Sequence, residues 1–159
     1  MKMENNPTVR LGSTDIQIIK LLQKYARSIN KELAAQLGLI IKPVYERVKR
    51  IEKSGVIRKY IALIEANKTG KNIVSLCMLR LEKHTKDKLA QFEAHVAIIP
   101  EVTECYHLAG QYDYPLKILV KDMNAFQDFI VNKLSTNENL TNVQSSFVMK
   151  KITDTTKYL

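Results

Sequence analysis

The first half of the chain contains three runs in which apolar residues recur at helical spacing. In residues 15–25 they recur every three or four positions, which predicts one apolar face of an amphipathic helix. Residues 31–37 and 43–54 repeat this pattern over similar or shorter lengths. The apolar face of the last run consists of Val44, Val48 and Ile51. Three short helices that share one small core are typical of a helix-turn-helix domain.

Residues with strong positional preferences mark the ends of these helices. Ser13 or Thr14 is expected to cap the first helix and Asn30 the second, because their side chains can accept hydrogen bonds from free N–H groups. Gly38 follows the second helix, where glycine is common. Pro43 suits the first turn of the third helix, which is therefore expected to begin at about this residue.

The apolar pattern weakens after the third helix. Residues 56–66 alternate only loosely and predict an extended strand or a linker, and residues 67–70 predict a turn. We therefore assign residues 1–60 to a helix-turn-helix DNA-binding domain, 61–70 to a linker strand and turn, and 71–159 to a second domain.

The second domain has a different pattern, in which strands and helices alternate. The order is β-α-β-β-α-β, which is the ferredoxin-like arrangement, so the predicted fold class is α+β. The predicted strands cover residues 72–82, 101–109, 114–121 and 142–152, and the predicted helices cover 85–98 and 123–134.

The first strand of the second domain is apolar on both faces. Ile73, Cys77, Leu79 and Leu81 alternate with Val74, Leu76 and Met78. The two helices of a ferredoxin-like unit cover one face of its sheet only. We therefore expect a second subunit to cover the other face, in a symmetric homodimer.

The positive charge of the chain is concentrated in its first part. The whole chain has a net charge of +9. Residues 1–66 hold 13 Lys and Arg against 6 Asp and Glu, a net +7, whereas residues 67–159 hold 12 against 10, a net +2. This asymmetry favours a polyanion as the partner of the helix-turn-helix half.

Several other classes of protein are disfavoured by the sequence. No apolar run approaches the roughly 18 residues of a transmembrane helix, and the N-terminus has no apolar signal region, so we expect a cytoplasmic protein. Cys77 and Cys105 are expected to be small buried side chains, and no CxxC pair predicts a metal site. No phosphate-binding glycine loop or nucleophile elbow is found, and His84, His95 and His107 form no catalytic pattern, so we expect no enzyme and no cofactor.

Taken together, both halves resemble the Lrp/AsnC family, the feast/famine transcription regulators. The resemblance rests on one set of residues in each half. In the first half they are Asp15-Ile16-x-Ile18-Ile19-x-x-Leu22, Glu32-Leu33-Ala34, Gly38-Leu39, Pro43-Val44-x-x-Arg47-Val48-Lys49-Arg50-Ile51-Glu52 and Gly55-Val56-Ile57. In the second half they are Pro100-Glu101-Val102, Gly110-x-Tyr112-Asp113-Tyr114 and Asp122-Met123.

The resemblance implies a winged helix-turn-helix domain followed by a ferredoxin-like, amino-acid-sensing (RAM-type) domain. It also implies homodimers that assemble further, often to octamers, in a cytoplasmic, nucleoid-associated protein. Family members typically bind a free amino acid near the Gly110–Tyr114 turn, at contacts between dimers. The chain departs from the family pattern at Ile40, where members usually have a Ser that can cap the third helix, and at Ser145, where they commonly have Thr.

The exposed faces of the third helix supply the candidate DNA contacts. Residues at the start of such a helix usually reach base edges, so Lys42, Tyr45 and Glu46 are assigned to base or groove contact. The remaining assignments are Lys49, Arg50 and Lys53 to phosphates and Arg58 and Lys59 to the flanking backbone. Arg47 lies nearer the core and is either a DNA contact or a structural partner of Glu32 or Asp15. The alternative for the whole set is a solvated helix face.

The turn around Gly110 supplies the candidate effector site. Its backbone N–H groups can receive a carboxylate, because glycine allows close approach, and Asp113 can pair with an ammonium group. The candidate effector-binding residues are Leu108, Gly110, Gln111, Tyr112, Asp113, Tyr114 and Ser145, with His107 nearby. The alternative is a plain hairpin turn, with Gly present for its dihedral angle and Asp bonded to its own backbone. An effector-independent architectural DNA-binding protein is the alternative function.

Overall fold

The computed structural model describes residues 9–153 and 159, which form two compact units. The first unit reaches Leu63 and the second runs from Ile64 to Ile152. This boundary lies within the predicted linker, 61–70. Among the described residues, no helix is both long enough and apolar enough to cross a membrane.

The first unit is a bundle of three helices. They are α1 (Ser13–Lys24), α2 (Asn30–Leu37) and α3 (Ile41–Lys53). Each contributes to one core, which confirms the predicted helix-turn-helix plan. The buried apolar residues of this core are Ile18, Ile19, Leu22, Leu33, Ala34, Val44, Val48 and Ile51.

The predicted caps of α1 (Ser13 or Thr14) and α2 (Asn30) were wrong, because each observed cap lies one or two residues earlier. Gly12 is the N-cap of α1, and its N–H donates to Asp15 Oδ2 at 2.9 Å. Ile29 is the N-cap of α2, and its N–H donates to Glu32 Oε2 at 3.1 Å. In both helices an acidic side chain three residues into the helix binds back to the capping N–H, so the cap residue needs no polar side chain of its own.

The turn between α2 and α3 depends on one glycine. Gly38 has φ +66°, in the left-handed region that favours glycine, and it ends α2. Helix α3 begins at Ile41, two residues before Pro43, so the predicted start was late. Ile40 is its N-cap and makes no side-chain cap bond. Because Pro43 has no N–H, one of the donors that a serine cap would bind is already absent, which limits the cost of the isoleucine.

The segment after α3 forms no strand among its described residues. Residues 58–65 have no regular secondary structure, and Ala66–Thr69 form a 3₁₀ helix that ends at Gly70, with φ +78°. The predicted strand in this segment was therefore wrong, and its linker alternative fits. The Tyr60 hydroxyl donates to Glu52 Oε1 at 2.9 Å, which ties the segment to α3. Burial and this carboxylate raise the pKa of Tyr60 to about 12.

The second unit is a four-stranded antiparallel sheet with two helices. Its elements are β1 (Ile73–Leu81), α4 (Lys86–Ala97), β2 (Val102–Cys105), β3 (Tyr114–Val120), α5 (Met123–Asp128) and β4 (Leu140–Phe147). The strand order is β2-β3-β1-β4, and the neighbouring pairs are antiparallel. This arrangement confirms the predicted ferredoxin-like fold.

Two strands and one helix differ clearly from the prediction. Strand β2 ends at Cys105. The Tyr106 N–H still donates to the Pro115 carbonyl at 3.3 Å, and residues 107–113 then form the turn before β3. Strand β4 begins at Leu140, opposite Leu81, and ends at Phe147 rather than 152. Helix α5 continues as a π-helical turn over Phe129–Leu134, so the predicted single helix has two geometries.

The two faces of the sheet differ in burial. Cys77, Leu79 and Leu81 of β1 are buried under the helices with Phe92 and Phe129. On the opposite face Val74 and Met78 are half-buried, and Leu76 is 45% exposed. This outer face is an apolar surface with no cover among the described residues of its own unit.

Candidate functional site: the outer face of α3 and the turn before β3

The outer face of α3 presents the residues that the sequence assigned to DNA. Lys42, Tyr45, Glu46, Lys49 and Lys53 are all exposed, as are Arg58 and Lys59 after the helix. Lys49 Nζ lies 4.7 Å from the centre of the Tyr45 ring. The interaction with the Tyr45 hydroxyl raises the pKa of Lys49 above its ordinary value. The helix therefore offers a cationic surface with an aromatic side chain near its start.

The two arginines of α3 have a structural partner. Arg47 Nη1 donates to Asp15 Oδ1 at 3.1 Å, and Arg50 Nη2 donates to Asp15 Oδ2 at 2.5 Å. The Asp15 side chain is 1% exposed, whereas those of Arg47 and Arg50 are 39% and 59% exposed. Arg47 thus takes the structural alternative, with Asp15 as its partner. Arg50, which was assigned to phosphate, is also engaged within the unit.

The carboxylate of Asp15 is held in its charged form. Burial raises the pKa of this carboxyl, but the Gly12 N–H, the Arg47 hydrogen bond and the charges of Arg50 and Arg47 outweigh burial and leave the pKa below its ordinary value. Asp15 connects the start of α1 to two turns of α3. This ion pair network therefore orients the helix that carries the cationic surface.

Three consecutive apolar residues are exposed at the start of α3. Ile40 is 76% exposed, Ile41 is 49% exposed, and Leu39 is also exposed. Ile41 lies one helical turn before Tyr45, on the same side of α3. Exposed apolar side chains therefore lie at the N-terminal end of the cationic face of α3.

The turn between β2 and β3 is fixed by Asp113. The backbone N–H of Asp113 donates to the Leu79 carbonyl at 2.8 Å, and its own carbonyl accepts from Leu108 N–H at 2.8 Å. Its carboxylate accepts from Leu81 N–H at 2.7 Å and lies 2.9 Å from His84 Nε2. Burial raises the pKa of Asp113, but the Leu81 N–H and His84 outweigh it and lower the pKa overall.

These bonds change the expected role of Asp113. Both carboxylate oxygens are engaged within the unit, so the residue positions the turn and is not available as a simple partner for an ammonium group. The plain-turn alternative had placed the Asp113 hydrogen bonds on its own backbone. They are made instead to the end of β1 and to His84, which follows that strand.

Gly110 is open to its surroundings. It has no positive φ, and a Cβ placed on it would meet no described atom within 4 Å. Its dihedral angle therefore does not require glycine, contrary to the plain-turn alternative. The N–H groups of Gly110, Gln111 and Tyr112 donate to no backbone carbonyl of the described residues. The turn thus has accessible backbone donors beside a position without a side chain.

The other effector candidates do not converge on one pocket of this unit. The Tyr112 hydroxyl donates to Gln144 Oε1. Ser145 Oγ lies 3.4 Å from Cys77 Sγ, and Cys77 belongs to the helix-covered face. Tyr114 is buried, and its hydroxyl donates to Glu93 Oε1 at 2.8 Å. Leu108 and Gln111 are exposed.

A cavity of about 290 Å³ lies beside the turn and contains residues that the sequence analysis did not group. It is lined by Glu93, Val96, Ala97, Cys105, His107 and Tyr114. His107 stacks on Tyr114 with ring centres 4.5 Å apart, and it lies after β2 rather than within a strand. Cys105 is exposed, not buried as expected. Partial loss of hydration at its sulfur and the negative charge of nearby Glu93 raise the pKa of its thiol. No sequence spacing links α4 to these residues, because the fold alone brings them together.

The described residues contain no cluster of three or more His, Cys, Asp or Glu suited to a metal ion.

A helix-turn-helix unit with a cationic helix, joined to a ferredoxin-like unit with an open backbone turn, defines a class of two-domain DNA-binding regulators. Residues 11–58 match the family model of a winged helix-turn-helix DNA-binding domain, and residues 75–158 match that of the Lrp/AsnC ligand binding domain. The chain belongs to the Lrp/AsnC family, whose members are DNA-binding transcriptional regulators and not enzymes.

Individual relatives match nearly the whole chain. It is 33% identical over 146 residues to the leucine-responsive regulatory protein of Rhizobium meliloti, a match that covers 92% of this chain and 94% of the relative. It is 35% identical to a transcriptional regulator of Neisseria meningitidis solved as a complex with L-Met, with a TM-score of 0.88 over 92% of this chain and 95% of the other. A feast or famine regulatory protein of M. tuberculosis complexed with L-methionine is 25% identical, with a TM-score of 0.81 over 94% and 99% of the two chains.

Proposed function

We propose that this protein is a sequence-specific DNA-binding transcriptional regulator whose assembly and DNA binding are modulated by a free amino acid. The observation that carries the proposal is the pairing of the exposed cationic face of α3 with the Lrp/AsnC ligand binding domain in one chain. The DNA step, the effector step and the assembly step have separate physical support.

The DNA step depends on α3 entering the major groove, which is wide enough to admit a helix. Lys42, Tyr45 and Glu46 lie in the first two turns and are assigned to base edges or the groove wall. Lys49 and Lys53 continue the same face and are assigned to phosphates, with Arg58 and Lys59 on the flanking backbone. Arg47 and Arg50 form ion pairs with the buried Asp15 and so hold α3, which carries this surface, in position. Arg50 is also exposed enough to add a phosphate contact.

The salt dependence of binding tests the DNA step. A dimer that neutralises roughly 6–10 phosphates should lose about 10³–10⁵ in affinity between 50 and 200 mM salt. Fluorescence anisotropy with the full-length protein and a duplex selected from a random library measures this. A flat salt response would contradict the electrostatic account.

The effector step uses the open turn at Gly110. Its accessible N–H groups are suited to a carboxylate, which is the group that every free amino acid carries. The Asp113 carboxylate is engaged by Leu81 and His84, so it holds the turn in shape, and we assign the ammonium contact to groups contributed by a neighbouring subunit. The L-Met and L-methionine complexes of two relatives support a ligand of this class.

The assembly step couples the two others. The outer face of the sheet, with Leu76, Val74 and Met78, is proposed as the homodimer interface, because burying it removes apolar surface from water. A ligand held between dimers favours one oligomer, such as an octamer, over another. The oligomer in turn sets the spacing of the α3 helices along DNA.

Calorimetric titration of the full-length protein with the twenty amino acids tests the effector step, with L-methionine first. Binding of at least one, accompanied by a change in oligomer mass or in DNA affinity, is the expected result. A protein that binds DNA with a steep salt response yet binds none of the twenty would instead be an effector-independent architectural DNA-binding protein, which is the second candidate function.

A further inference from the structure

The start of α3 combines two features that are unfavourable in the isolated protein. Ile40 is the N-cap residue, yet its side chain makes no cap bond. It is also 76% exposed, so this large apolar side chain gains almost nothing from the core. Ile41, the first residue of the helix, is 49% exposed. Neither residue belongs to the apolar cluster formed by the three helices.

This position is also where a recognition helix meets base edges. The N-terminal residues of such a helix contact the floor of the major groove. Lys49 and Lys53 on the same helix are exposed and supply charges for the phosphates that border that groove. An isoleucine side chain has no hydrogen-bond donor or acceptor, so it distinguishes bases only through apolar contact. In the major groove, the C5-methyl group of thymine is the apolar group that an unmodified base presents.

We propose that Ile40 and Ile41 are specificity-determining residues that read the C5-methyl group of thymine in the operator half-site. This inference rests on the proposed DNA-binding function and adds the chemical basis of its sequence preference. The Ile40 side chain lies ahead of the helix and Ile41 lies on the flank that leads to Tyr45, so the pair is suited to one or two adjacent thymines. Contact removes both the isoleucine and the methyl group from water.

Deoxyuridine provides a direct test, because it lacks only the C5-methyl group and keeps the pairing edge of thymine. A duplex is first selected from a random library with the full-length protein, and each thymine of the half-site is then replaced singly by deoxyuridine. We expect one or two positions where the replacement weakens binding about 3- to 5-fold, the factor that corresponds to one methyl group removed from an apolar contact. The other replacements should leave the affinity unchanged.

Two variants assign the effect to these residues. Ile40→Ser introduces a favourable cap, so it should fold at least as well as the wild type, and Ile41→Ala keeps a good helix former. Each should lose the sensitivity to deoxyuridine at its own position and bind the thymine and deoxyuridine duplexes equally. Lys49→Ala is the matched control: it should weaken both duplexes by the same factor and keep their ratio.

The outcomes separate this inference from the function on which it depends. Wild-type protein that selects a duplex but shows no position sensitive to deoxyuridine overturns the inference and leaves DNA binding intact. The same conclusion follows if both isoleucine variants keep the wild-type sensitivity, or if the selected half-site contains no thymine. Failure to select any duplex overturns the proposed function and the inference together.

Discussion

Replacing Asp15 with asparagine removes the charge that connects α1 to α3 while preserving the size and shape of the side chain. In the wild type, one carboxylate accepts from the Gly12 N–H, from Arg47 and from Arg50, at 2.9, 3.1 and 2.5 Å. The asparagine side chain would keep one oxygen for Gly12 and would place an NH₂ group where a carboxylate oxygen now faces an arginine. At least one charge-assisted hydrogen bond is therefore lost.

The expected loss in the free energy of unfolding follows from the burial of the three side chains. Hydrogen bonds to charged groups contribute about 1.5–3 kcal/mol, and breaking a fully buried ion pair costs about 3–5 kcal/mol because a charge is left without a partner. Here only Asp15 is buried, and both arginines reach solvent. The arginines can be hydrated after the change, so the lower range applies. We expect Asp15→Asn to destabilise the first unit by about 2 kcal/mol, or about 30-fold in its folding equilibrium.

Urea unfolding followed by far-UV circular dichroism measures this change, and amide exchange in α1 and α3 locates it. Asp87→Asn is the matched control, because Asp87 is exposed in the first turn of α4. This control should change the free energy of unfolding by no more than about 0.5 kcal/mol. Equal stability of Asp15→Asn and the wild type would refute the view that this network holds α3 in place.

The pH dependence gives the same argument a second test. The pKa of Asp15 is lower in the folded protein than its ordinary value of 3.8. Its stabilisation is therefore complete above pH 3.8 and is lost as the pH falls through the lower, folded-state pKa. Asp15→Asn has no carboxyl to titrate, so the stability difference between the two proteins should shrink as the pH falls below 3.8. A constant difference across this range would contradict the assignment.

Three other substitutions test separate parts of the structure. Lys49→Ala should lower the slope of log affinity against log salt by about 2, because the dimer loses one phosphate contact from each of its two α3 helices. Anisotropy titrations from about 50 to 200 mM salt measure this slope, and an unchanged slope would remove Lys49 from the phosphate contacts. Leu76→Lys on the outer sheet face should convert the dimer to monomers in analytical ultracentrifugation, whereas Met123→Lys, at an exposed helix start, should not; a Leu76→Lys dimer would place the interface elsewhere. Gly38→Ala should cost about 1 kcal/mol in urea unfolding through its left-handed φ alone, since a Cβ there has open space. Gly110→Ala has the same open space without a positive φ and should cost less, so equal losses would show that backbone strain is not the cause.

The helical pattern of the first unit could be predicted because burial follows residue spacing. Val44, Val48 and Ile51 lie on one side of any helix that contains them, and they are buried in α3. The helix ends were predicted less well. The sequence offers several polar residues near each end, and only the back-bonding of Asp15 and Glu32 decides which residue becomes the cap.

The candidate effector site was likewise predictable in part only. Its turn could be located from the Gly110–Tyr114 motif. The partners of Asp113 could not be predicted from the sequence. Leu81 and His84 lie about thirty residues away and reach Asp113 only because β1 pairs with β3. The cavity beside the turn depends likewise on α4 packing near the ends of β2 and β3.

The sequence is enough to predict the order of the elements, the apolar faces that build two cores, and the concentration of positive charge in the first half. These properties depend on residue type and spacing along the chain. Which charges remain free to meet a ligand depends instead on how the chain folds. Asp15 binds Arg47 and Arg50, and Asp113 binds Leu81 and His84, while Lys42, Lys49 and Lys53 remain exposed. The physical reason is that the charge of a side chain is a local property, whereas its partner is set by folding segments that are distant in the chain.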